Sequence, residues 1–104
     1  MGQLRHVTII VNNGIINVVP DPVHINKKDL GEVCWHSPQG EASINFADSP
    51  FYSDHFLVPR CGSCATGPVA NDKGRGDYKY SIIVRVPGDR REYVVDPTVI
   101  VEDD

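Results

Sequence analysis

Short alternating runs bounded by turn residues set the character of this chain. β-Branched and aromatic residues alternate with polar ones over residues 5–11, 15–19, 23–25, 32–36, 42–46, 78–86, 92–95 and 98–102, with a further short run at 55–58. Such runs read as half-buried β-strands. No segment places apolar residues at the three-and-four spacing of a helix, so none is predicted. Period-two alternation puts Val33 and Trp35 on one face of their strand, Ile44 and Phe46 on one face of the next, and Tyr78, Tyr80, Ile82 and Val84 together on a third. With Val99, these are the expected core.

The punctuation between the runs supports the same picture. Eight prolines and nine glycines recur through the chain, most of them between the runs. Asn12-Asn13-Gly14 suits either a tight hairpin or a bulge in one edge strand. Pro20-Asp21-Pro22, Ser37-Pro38-Gln39-Gly40, Pro87-Gly88-Asp89 and Asp96-Pro97 mark further turns. Residues 59–77 are Gly-rich and poor in large apolar side chains, so a long loop is expected there, mobile unless something ties it down. The spacing of the strands predicts an all-β fold of about seven to eight strands, a sandwich or barrel. At 104 residues, one domain spanning 1–104 is expected.

Composition narrows the partners. A hydrophobic share of 40% and a charged share of 23% are those of a folded chain. The net charge of −4 offers no basic footprint for nucleic acid. No apolar run approaches the roughly 18 residues of a membrane-spanning helix, so no membrane association is expected. The start, Met1-Gly2-Gln3-Leu4-Arg5-His6, lacks the apolar segment of a signal peptide, which predicts a cytoplasmic protein, or an exported one if a leader has been removed. Three cysteines leave at least one unpaired, in keeping with a reducing compartment.

The series Asp29-Leu30-Gly31-Glu32-Val33-Cys34-Trp35, then Ser43-Ile44-Asn45-Phe46, then Asp77-Tyr78-Lys79-Tyr80-Ser81-Ile82, then Asp96-Pro97-Thr98-Val99-Ile100-Val101 resembles cupredoxin-like domains. The resemblance implies a Greek-key β-sandwich. It also implies where copper ligands would stand: near Ala42 and Ser43 for the first histidine, and just after the Tyr-x-Tyr strand, at Ile82-Ile83-Val84, for the cysteine and second histidine. None of these is a ligand, and the only methionine is Met1. The scaffold is therefore expected without type-1 copper, whose centre needs two imidazoles, a thiolate and usually an axial thioether.

The remaining chemical lead is Cys61-Gly62-Ser63-Cys64. Two thiols at this spacing can chelate zinc, close a disulfide ring or cycle between redox states. A structural zinc needs four ligands, and Cys34 and His36, two apart on one strand face, would complete a three-cysteine, one-histidine set if the 59–77 segment folds back over that strand. Trp35 would then face the core. His6, His24 and His55 have no ligand-spaced neighbours and are expected on strand surfaces or loops. Ser53, Asp54 and His55 lie close in sequence without a nucleophile motif, and no catalytic residue is assigned. Arg75-Gly76-Asp77 is read as turn chemistry.

Two functions follow as expectations. The first is a non-enzymatic binding or structural module that takes no cofactor and meets a protein partner. The second is a small metal-binding protein, zinc being the ion, or a redox protein, using Cys61 and Cys64 with Cys34 and His36.

Overall fold

Asn13 and Gly14 take positive φ of 52° and 79°, the backbone that a two-residue hairpin turn requires. β1 (Leu4–Asn12) therefore folds directly back on β2 (Ile15–Val19), with Asn12 opposite Ile15. Of the two readings of Asn12-Asn13-Gly14, the hairpin is the one found. The computed structural model describes residues 3–103, so Met1, Gly2 and Asp104, at the ends of the expected domain, lie outside the described residues.

After the hairpin the chain forms β3 (Val23–Asn26), β4 (Glu32–His36), β5 (Glu41–Phe46), β6 (His55–Val58), β7 (Ser63–Ala65), β8 (Gly76–Arg85), β9 (Glu92–Val95) and β10 (Thr98–Glu102). The described residues contain no helix. One sheet has the order β2-β1-β4-β7, and the other has the order β3-β10-β8-β5-β6 with β9 also paired to β8. β1 runs parallel to β4, and β3 parallel to β10; the remaining pairs are antiparallel. β9 and β10 share the edge of β8 away from β5, because Asp96-Pro97 interrupts what would otherwise be one strand. The turn at Pro87-Gly88-Asp89 is held by Asp89, which accepts from the Arg91 backbone at 2.9 Å and from the Tyr93 hydroxyl at 2.5 Å.

The inner faces meet in one apolar cluster. Val7, Ile9, Val33 and Trp35 come from the first sheet; Ile44, Phe46, Tyr80, Ile82, Val84 and Val99 come from the second. Trp35 sits at the centre, its ring centroid 5.4 Å from Phe56, 5.5 Å from Tyr80 and 6.3 Å from Phe46. Its indole N–H donates to the Tyr80 hydroxyl at 3.3 Å, which gives the one polar atom of the ring a partner in the core. Gly40, in the turn from β4 to β5, lies so close to Arg85 that any Cβ there would collide with the Arg85 carbonyl. The turn is thereby pressed against the end of β8.

Ten strands replace the expected seven or eight, and the segment 59–77 explains part of the difference. It contains β7, which pairs with β4, and it buries Val69 and Ala70. β7 is only Ser-Cys-Ala, too short and too weak in β-branched residues to stand out in the sequence. It forms because β4 offers an open edge: the Thr66 hydroxyl accepts from the Val33 N–H at 3.0 Å while the Thr66 N–H donates to the Val33 carbonyl at 2.8 Å.

Candidate metal centre

β4 is buried on its inner face and, at Cys34, on its outer face as well, while Glu32 and His36 are half-buried. Val33 and Trp35 point into the core, while Glu32, Cys34 and His36 take the outer face. The parallel register of β1 against β4 sets His6 beside Cys34 and Thr8 beside His36. On the other side of β4, the antiparallel register of β7 sets Ala65 beside Cys34 and Ser63 beside His36. Cys34 is thus enclosed by its strand neighbours and is buried although it faces outward.

His6 and His36 meet across this face. His6 Nδ1 lies 2.8 Å from His36 Nε2, and the two rings are 5.1 Å apart between centroids. At that distance an imidazole N–H of one ring donates to the bare ring nitrogen of the other, the shared proton lying between the two nitrogens. The Cys34 sulfur joins them: one ligand atom from each of His6, Cys34 and His36 falls within 4.8 Å of the others. Two imidazoles and a thiol are the donors that zinc and copper take from proteins. Zinc–nitrogen bonds of about 2.0–2.1 Å in a tetrahedron separate two nitrogens by about 3.3 Å, so the rings need part by only about 0.5 Å for an ion to replace the shared proton.

The set expected from sequence is divided by the sheet. Cys34 and His36 do share a face, and the 59–77 segment does fold back over β4. Yet Cys64 stands opposite Trp35 and packs against the core side. Burial is the first cause that pushes the Cys64 thiol above its ordinary pKa, and the neighbouring Cys34 adds to it, against a hydrogen bond with the Leu57 backbone. Cys61 remains exposed. Its thiol donates to the Pro38 carbonyl at 3.2 Å, and with Thr8, His36, Ser37, Pro38 and Gly62 it lines a cavity of about 200 Å³. The two thiols of the Cys-x-x-Cys pair therefore serve different sides of the sheet.

His6 is the residue that sequence reading leaves out. It has a ligand neighbour after all, thirty positions away on a parallel strand, and the parallel pairing that joins them is not written in either strand alone. The other two histidines bond singly, His24 to Glu102 at 2.9 Å and His55 to Asn45 at 2.7 Å. At the positions where the cupredoxin resemblance looks for copper ligands, Ala42, Ile82 and Val84 are fully buried apolar core.

No family model matches this chain, and a search of curated proteins gives no match.

Proposed function

We propose that this chain is a non-enzymatic, cupredoxin-like β-sandwich of Greek-key connectivity that holds one zinc ion through His6, Cys34 and His36, with no type-1 copper at the positions where the resemblance looks for it. The convergence of three soft and borderline donors within 4.8 Å on one sheet face carries the metal reading. Non-sequential orders of mostly antiparallel strands, such as β10-β8-β5-β6, support Greek-key connectivity. The apolar residues at the positions where the resemblance looks for copper argue against a metal there.

Zinc suits the set because it accepts mixed nitrogen and sulfur ligation and has no geometric demand of its own. Titration calorimetry with zinc should show saturation at about one equivalent, with His36→Ala weakening binding by at least ~10-fold. His24→Ala, distant from the site, should bind as the parent does. Equal affinity in the two variants, or no saturable binding by the parent, would contradict the proposal.

A further inference from the structure

β2 ends its sheet with a row of backbone groups turned outward. In a two-residue hairpin the residues flanking the turn form a hydrogen-bonded pair, and bonded and non-bonded pairs then alternate along the ladder. Asn12 and Ile15 are therefore bonded to each other, as are Ile10 with Asn17 and Thr8 with Val19. Val11 fixes the same phase: its N–H and carbonyl turn away from β2 and bond the Gln39 side chain. Its partner Ile16, and Val18 two residues on, turn theirs the opposite way, off the edge of the sheet. Among the described residues, no strand lies beyond them and no turn or loop backbone bonds them.

β2 also lacks what blunts the other edges. β3 carries His24, bonded to Glu102. β6 carries His55 and runs into Pro59, and β9 carries Glu92, paired with Arg85. β7 has only three residues. β2 reads Ile-Ile-Asn-Val-Val, with neither charge nor proline, and leaves Ile15 and Val19 exposed by 62% and 57%. A strand edge of this kind is a template for another strand.

We infer that β2 pairs antiparallel with β2 of a second copy of this chain, about a twofold axis at Asn17. In that register Ile16 faces Val18 of the second copy, and the twofold repeats the pair, so the outward groups of both residues close four N–H···O bonds. Ile15 falls opposite Val19, which sets the exposed β-branched side chains against each other on the outer face, and the two Asn17 amides meet at the axis. With no ionised residue in β2, self-pairing brings no like charges together. Neighbouring registers lose bonds. An axis at Val18 sets Ile16 against Pro20, which has no N–H, and an axis at Ile16 sets Val18 against Gly14 in the turn. The two four-stranded sheets then join edge to edge.

Sedimentation equilibrium of the full chain in EDTA, which removes association bridged by metal, should show a mass that rises with concentration towards that of two chains. Asn17→Lys sets two ammonium groups face to face at the axis while remaining on the surface of the single chain, and should weaken dimerisation by at least ~10-fold. Asn17→Cys in a Cys61→Ser background, free of the exposed native thiol, reads the register. Directly opposed residues stand within disulfide reach, so oxidised glutathione should accept two electrons and two protons as the paired thiols link the copies. Ile15→Cys in the same background should stay unlinked, because its counterpart lies four residues, about 13 Å, along the other strand. A parent that stays monomeric at every concentration would overturn the pairing and leave the edge to an extended segment of another protein. A dimer that Asn17→Lys leaves unchanged, or equal linking through positions 15 and 17, would overturn it as well.

Discussion

The two faces of β4 divide its five residues between opposite purposes. On the inner face Val33 and Trp35 are fully buried among aromatic and aliphatic side chains, and their contribution is close packing. On the outer face Cys34 and His36 meet His6 from the next strand, and what they offer is directed lone pairs. Packing tolerates many side chains of similar volume, whereas coordination depends on the register that places donor atoms within ångströms of each other. The inner face thus sets stability and the outer face sets chemistry. A substitution on one should leave the other largely intact.

The largest effect separating the faces should come from Trp35→Ala. Removing the ring that contacts Phe46, Phe56 and Tyr80 should cost about 3–5 kcal/mol in chemical denaturation, much of the stability of a domain this small. His6→Ala, exposed on the outer face of β1, should change metal-free stability by less than about 0.5 kcal/mol. Similar losses from both would erase the distinction.

Alkaline pH tests the inner face more gently. Burial pushes the Tyr80 hydroxyl well above its ordinary pKa, with the Trp35 hydrogen bond only partly opposing it. The folded state therefore favours the neutral phenol. Its stabilisation is complete below the unfolded value of about 10 and is lost as pH rises beyond it. Tyr80→Phe keeps the ring but cannot ionise, so its stability should fall less steeply above about pH 10 than that of the parent. An unchanged slope would show that Tyr80 does not feel its burial.

The smallest effect concerns the two ends of the Cys-x-x-Cys pair. Cys61 is exposed on the outer rim, whereas Cys64 is half-buried with a raised thiol pKa. Since the thiolate is the reactive form, iodoacetamide near neutral pH should label Cys61 first. Cys64 should gain on it as pH rises, with the order read by mass spectrometry. Faster labelling of Cys64 at neutral pH would mean that it, not Cys61, faces the open side.

Much of this was legible in the chain. Alternation in 32–36, 42–46 and 78–86 identified Trp35, Ile44, Phe46, Tyr80 and Ile82 as core, because period-two burial is a local property of each strand. Asn13-Gly14 offered the hairpin beside a bulge as its alternative, since positive φ is a local demand but strand pairing is not. The pairing of Cys34 with His36 followed from the same periodicity. His6 did not, because its place beside them depends on β1 lying parallel to β4 in one register, which is a property of the whole topology. The division of Cys61 from Cys64 was hidden for a related reason: β7 exists only through the edge of β4, and that edge turns Cys64 inward while the strained turn before it holds Cys61 out.

X-ray absorption at the zinc edge of the zinc-loaded protein tests the centre most directly. The account predicts a mixed first shell, with imidazole nitrogens at about 2.0–2.1 Å and sulfur at about 2.3 Å, in a four-coordinate site. His36→Ala should remove part of the imidazole signal. A shell of light atoms alone, without sulfur, would contradict it, because Cys34 would then lie outside the centre that this face of β4 is held to build.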